Sequence, residues 1–197
     1  QEGATPKELF PWGDFDPAIP TQASVLGVEH GARPIRHDEL MRYLRALAKA
    51  SPYAKLIPYA RSHEGRELVV FAVCEPEVIT ALDAFKIAHS TRVDPSERAE
   101  SEDSKVLAGS RAVAWMAYGI HGDELSSTDA SAALAYWLVA GRDLRARSLR
   151  RELLVLIDPI ENPDGRDRYL AQTRSFAHRV PSHDSEDLSH TSVWPWG

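Results

Sequence analysis

A single cysteine, Cys74, stands in 197 residues, so no intrachain disulfide framework can hold the chain and cysteine usage does not fix its compartment. No apolar run approaches the roughly 20 residues that a helical membrane span needs, and no membrane association is expected. Gly-x-Ser-x-Gly, a glycine-rich phosphate loop and Cys-x-x-Cys are all missing, which leaves serine-hydrolase, P-loop and thiol-redox chemistry without support. Excess positive charge is missing too. The formal net charge is −6, and nucleic acid is not expected as a partner because phosphate binding draws on clustered Lys and Arg. The arginines of "RDLRARSLRR" (142–151) do cluster, but they recur at helical spacing beside Leu144 and Leu149 and read as a solvated helix face. There is no internal repeat.

Hydrophobic residues make up 43% of the chain, enough for one domain with a core. Residues 1–35 read as an arm punctuated by proline and glycine, of the kind that drapes over a domain. "RHDELMRYLRALAKAS" (36–51) predicts an amphipathic helix with Leu40, Tyr43, Leu44 and Leu47 on one face. "KLIPYARSHEGRELVVFAVCE" (55–75) predicts two strands around a turn at His63–Arg66, with Gly65 supplying the permissive backbone. A short helix is expected in "PEVITALDAFKIAHS", and a polar excursion over 91–110.

Two apolar runs, 111–120 and 150–160, predict strands, the first buried on both faces. Between them, 121–141 predicts a helix with Ala132, Leu134, Ala135, Leu138 and Val139 inward and Gly141 as terminator. Strand, helix and strand of these lengths form a right-handed βαβ unit. "ENPDGRDRY" reads as a turn followed by irregular chain, and the residues after 171 are polar and aromatic without period.

The chemistry concentrates in "GIHGDELSS" (119–127). His121 falls where one strand ends and Glu124 in the first turn of the helix that follows, at the sheet edge where ligands bind in open α/β folds. The tight "HGD" turn, permitted by Gly122, brings imidazole and carboxylate to one side, a donor pair that suits Zn²⁺. Two alternatives stand beside this. His-x-x-Glu is a short pattern that recurs at His183 and Glu186, where no strand precedes it and no helix follows. Glu124 could also be an acidic residue favoured in a first turn by the helix dipole. "ENPDG" (161–165) follows the next strand at the same edge and reads as a structural turn, with Asn162 or Asp164 bonding its backbone.

Taken in order, "SHEGREL", "GIHGDELSS" and "IDPIENPDGRDR" resemble the zinc metallocarboxypeptidases of the carboxypeptidase A type. The lead-in "DPAIPTQASVLGVEHGARPIRHDELMRYLRALAKASPYAKLIPYARSHEGREL" is similar to that of a large, exported bacterial branch of the family. The resemblance implies an α/β fold: a mixed, largely parallel sheet sandwiched by helices, carboxypeptidase-like and incomplete in this chain. It divides the chain into the arm 1–35 and, over 36–197, the N-terminal portion of a zinc peptidase catalytic domain. His121 and Glu124 would be the first two ligands of one catalytic zinc, with "NPDG" supporting the site. The family hydrolyses peptide or amide bonds by metal-activated water, so a peptide is the implied substrate.

The family's third ligand, a later histidine, has no counterpart here, nor do its substrate-holding Asn-Arg pair and distal glutamate base. His178, His183 and His190 come too early, and Arg168 and Arg174 are weak stand-ins for its oxyanion arginine. No catalytic residue is therefore assigned in this chain. The enzyme reading expects the chain to be inactive alone and to need a C-terminal segment, or a C-terminal fragment of the same precursor as a second chain. The 150–158 strand would then lie near a sheet edge. The alternative is an inactive fragment, or a non-catalytic peptide or cell-wall binding module of the same fold. A chain opening at Gln1 without a signal-type stretch reads as a secreted or periplasmic protein whose leader has been removed.

Overall fold

The computed structural model of the protein describes residues 2–93, 111–176, 182 and 184–187. Its proline-rich first segment carries two short helices, α1 (Pro6–Leu9) and α2 (Gln22–Leu26), each opened by a threonine whose hydroxyl accepts a backbone N–H of the first turn. Helix α3 (His37–Ala50) begins where the Glu39 carboxylate reaches back to the Arg36 backbone N–H at 2.9 Å. It buries Leu40, Tyr43, Leu44 and Leu47, the face its periodicity predicts.

Strands β1 (Ala54–Arg61) and β2 (Glu67–Val73) form an antiparallel hairpin. Its turn closes through Gly65 N–H to Ser62 O, with Gly65 at φ +83°, the left-handed conformation that glycine tolerates. Pro58 interrupts the β1 register beside a bulge, and β1 is an edge strand, where a missing N–H costs least. Two helices follow in place of the single one predicted, α4 (Pro76–Thr80) and α5 (Leu82–Val93). Most of the polar excursion expected over 91–110 lies outside the described residues.

Strand β3 (Ala112–Ala117) leads into α6 (Leu125–Ala140), then α7 (Leu144–Glu152), then β4 (Leu153–Asp158). The parallel β3–β4 pair with its helical crossover is thus present, with one helix more than expected. The arm lies along α6: Phe10 stacks on Trp137 at 5.5 Å, Phe15 meets Tyr136 at 5.3 Å, and Asp16 N–H bonds Ala140 O. Because α6 is covered on several sides it is apolar nearly all round.

The sheet is mixed, in the order β1-β2-β4-β3, with β3–β4 parallel and the other two pairings antiparallel. Alternation along β2 and β4 sends Val69, Phe71, Val155 and Ile157 into a core under α3 and α6. Ala72, Cys74 and Leu154 point the other way, against Val78, Ile79, Leu82 and Phe85 of the α4–α5 region. Helices therefore cover both faces.

Three expectations are corrected. The 150–158 strand was placed near an edge, but β4 is interior, because antiparallel β2 takes the side opposite β3. The strand expected to be buried on both faces is instead the edge: β3 has no partner on its outer side among the described residues, and Trp115 is 68% exposed. The irregular chain after "ENPDG" is a helix, α8 (Pro163–Phe176), opened by Asn162 Oδ1 accepting Gly165 N–H at 2.9 Å with proline in the first helical position.

Arg166, on α8, is the largest fully buried side chain among the described residues. Its guanidinium donates to Ile35 O, Leu125 O and the Asp129 carboxylate at 2.7–2.9 Å, joining α8 to α6 and to the approach to α3. Burial pushes the Asp129 carboxyl up from its ordinary range, against the pull of Arg166. Arg166→Met takes the guanidinium donor from two carbonyls and from that carboxylate, which keeps only the Ile35 N–H bond at 3.1 Å. It is expected to lower stability by about 3–5 kcal/mol, read from the urea midpoint at unchanged m-value; a shift within error of wild type would contradict this role.

Candidate metal centre

Parallel pairing carries β3 and β4 to the same sheet edge, and hydrogen bonding continues past both strands. Tyr118 N–H bonds Asp158 O, Glu161 N–H bonds Tyr118 O, and Asn162 N–H bonds Gly119 O, all at 2.9 Å. The segments 118–121 and 158–162 therefore leave the sheet side by side.

Gly119 takes φ +65°, the one bend here that demands glycine for its backbone angle. Gly122 does not have a positive φ; its role is different from the one its turn position suggested. A Cβ at Gly122 would lie 2.1 Å from the carbonyl carbon of Gly165, so the "HGD" and "NPDG" turns pack backbone on backbone. Each motif thus limits the shape of the other.

Within the first turn, Glu124 N–H bonds His121 O at 3.3 Å and Leu125 N–H bonds Asp123 O at 3.0 Å. His121 Nδ1 and Glu124 Oε1 stand 3.2 Å apart, their side chains 61% and 60% exposed. Glu124 sits just before α6 rather than in its first turn, and its side chain makes no capping bond. Its carboxylate is engaged with His121. Two donors bonded to one tetrahedral zinc at about 2.0–2.2 Å stand roughly 3.3–3.5 Å apart, close to the observed gap. The donor set and spacing fit such an ion, with both groups open to solvent. Among the described residues, no group of three or more His, Cys, Asp or Glu side chains could hold a metal.

The other residues singled out in the sequence do not join this pair. His178, His183 and His190 lie outside the described residues, and so does any geometry of the His183–Glu186 repeat. Arg168 is held by the Glu64 carboxylate, its Nε donating at 2.7 Å, and Arg174 is exposed in the last turn of α8.

Asp164 has the structural role its turn position suggested, over a longer reach. Its carboxylate accepts from Ser62 Oγ (2.7 Å), Glu64 N–H (2.9 Å) and Arg66 Nη1 (2.7 Å), tying the β1–β2 turn to the start of α8. Arg66 also donates to Asp167 at 3.1 Å, and its own charge is stabilised first by Glu64. "SHEGREL" and "NPDGRD", about 100 residues apart, form one cross-linked unit.

One pair at this edge went unnoticed in the sequence. Tyr59 donates its hydroxyl to Asp158 Oδ2 at 2.7 Å, joining β1 to the last residue of β4. Burial first, then the Asp158 bond, pushes the Tyr59 phenol well above its ordinary range, and burial raises the Asp158 carboxyl. An acid closing an interior strand at the carboxyl edge was the available signal.

A family profile described as zinc carboxypeptidase matches residues 40–190. Among solved structures, carboxypeptidase A from Helicoverpa armigera is similar at 18% identity with a TM-score of 0.51, over 76% of this chain and 29% of that one. Thrombin-activatable fibrinolysis inhibitor is similar at 14% identity with a TM-score of 0.48, over 75% of this chain and 31% of that one. The insect enzyme supports the fold alone. The chain spans about a third or less of the length of these two structures. No curated protein matches it.

Burial alone would raise the Asp164 carboxyl, but its three donors together hold it below its ordinary value of 3.8. Its contribution to stability is therefore complete above pH 3.8 and is lost as pH falls through the lower folded value. Asp164→Ala should cost about 1–3 kcal/mol at neutral pH and should flatten the acid limb of the stability–pH curve, measured by urea denaturation across pH. An acid limb identical to wild type would mean that Asp164 does not couple the two turns.

Proposed function

The chain belongs to the zinc carboxypeptidase family, and on that premise we propose that it supplies the first half of a zinc peptidase centre, with His121 and Glu124 as two metal ligands. The single observation that carries the reading is the pair itself: Nδ1 and Oε1, 3.2 Å apart and solvent-facing, at the carboxyl edge of the parallel strands. When bound, zinc polarises the scissile carbonyl and lowers the pKa of a water molecule. The chain's own part is to hold and orient. The His121–Glu124 turn aims two donors at one point, the Gly122–Gly165 contact keeps that turn in shape, and the Asp164 network anchors its neighbour.

A catalytic zinc has three protein ligands and an open position. We place the third ligand, the oxyanion arginine and the general base in a C-terminal segment or partner chain. The reaction proposed for the assembled enzyme is hydrolysis of a peptide or amide bond, and these residues alone are expected to be inactive. The outer edge of β3, unpaired among the described residues and with Trp115 and Met116 exposed, supports a docking partner at that side, since unpaired strand edges beside apolar side chains favour association.

Native mass spectrometry with zinc quantified in the same sample tests this. The assembled protein should carry one zinc per copy of this chain, His121→Ala should lose it, and His183→Ala should retain it. Zinc lost through His183→Ala, or retained through His121→Ala, would overturn the ligand assignment.

A further inference from the structure

At the opposite end of the sheet from His121, the chain brings arginines together around a cavity of about 590 Å³. Arg111 precedes β3, Arg142 follows α6, and Arg147, Arg150 and Arg151 lie on α7. Five arginines and three acidic residues, Asp16, Glu75 and Glu77, line it, an excess of positive charge in a chain whose net charge is −6.

Structural duties account for part of this cluster. Arg150 donates through Nη1 to Leu138 O at 2.6 Å and Gly141 O at 2.9 Å, satisfying carbonyls at the end of α6. Arg111 bonds Arg150 O and Glu77, and Arg142 pairs with Asp16 at 2.9 Å. Basic residues in the last turn of α7 also suit its dipole.

Those duties leave two features over. Arg150 is only 4% exposed, yet its Nε is buried without a hydrogen-bond partner. A buried donor in that state lacks the compensation that interiors normally provide. Arg147 lines the same cavity and makes no ion pair among the described residues. Burial pulls the Arg150 charge down from its ordinary stability, and the Tyr53 ring lies 4.3 Å from its guanidinium carbon. A further negative charge in the cavity, beside its lining carboxylates, would offset that burial.

We infer that this cavity is a binding site for a phosphate group, separate from the candidate metal centre, with Arg147 and Arg150 as its principal donors. A phosphate suits it better than a carboxylate. The arginines approach from three segments of the chain, whereas a carboxylate presents two coplanar oxygens matched to one guanidinium fork. A phosphate dianion offers more acceptors, in a tetrahedral arrangement, and carries two negative charges. Free phosphate and a phosphate monoester share this chemistry.

The test is isothermal titration of the purified full chain, with any partner that copurifies, in a phosphate-free buffer at constant ionic strength. Inorganic phosphate should bind one-to-one, and Arg147→Glu, on an exposed helix position, should weaken it about tenfold or more. Arg150→Lys keeps the charge but removes the planar guanidinium, and should weaken binding while its circular dichroism and melting temperature report whether the α6 end holds. Glycerol 3-phosphate separates the sources: equal affinity indicates the free ion, tighter binding a larger ligand carrying the group. The inference fails if a folded Arg147→Glu chain binds phosphate with unchanged affinity. It also fails if citrate binds more tightly than either phosphate, or if phosphate heats match a chloride control.

Discussion

The parallel pairing of β3 with β4, from Ala112 opposite Leu153 to Ala117 opposite Asp158, makes both strands end at the same edge of the sheet. An antiparallel arrangement would have sent the "HGDE" and "ENPDG" turns to opposite ends. With both at one edge, the backbone bonds that continue the pairing bring Gly122 against Gly165, too close for any side chain between them. Gly165 belongs to the first turn of α8, the same turn that holds Asp164, and Asp164 grips the β1–β2 turn. The exposed His121–Glu124 pair therefore rests, through two glycines and one carboxylate, on a hairpin distant in sequence.

Charge is used in two contrasting ways along this path. Asp164, Asp167, Glu64 and Arg66 are hydrogen-bonded to one another or to backbone donors, which makes partial burial of their charges tolerable. Arg166 lies deeper still and is satisfied by two carbonyls and Asp129. His121 and Glu124 face solvent and have mainly each other. A rigid support beneath an open donor pair is what a metal site requires, since ligands held by a packed frame lose less freedom on coordination. At the far end of the sheet, Arg150 is buried with its Nε lacking a hydrogen-bond partner, as are several other buried polar atoms among the described residues, both ring nitrogens of His30 included.

Local signals made a good part of this legible. The apolar face of α3, the Gly65 hairpin and the helical crossover between two apolar strands all follow from short-range periodicity and turn chemistry, so they could be read directly. The α8 helix escaped because its buried residues include Arg166, Asp164 and Asp167, which no hydrophobic pattern reveals. Its Asn-Pro opening is a helix-start signal that short-range turn chemistry also accommodates. The interior place of β4 is illegible for a related reason: strand order depends on which neighbour each strand finds, and β2 reaches β4 across more than 80 residues.

What the sequence determined by itself was the identity and spacing of the side chains proposed as metal donors, His121 and Glu124 on one turn, with "NPDG" after the next strand, and the order of motifs that marks the zinc carboxypeptidase family. Those features need only residue type and distance along the chain. Tertiary structure alone decided that Gly122 is required by contact with Gly165 and not by its own backbone angle. It also decided that Asp164 serves the hairpin, that Tyr59 closes on Asp158, and that five arginines from three segments share one cavity. Each of these depends on atoms far apart in sequence meeting in space, and only the packed sheet and its helices settle which of them do.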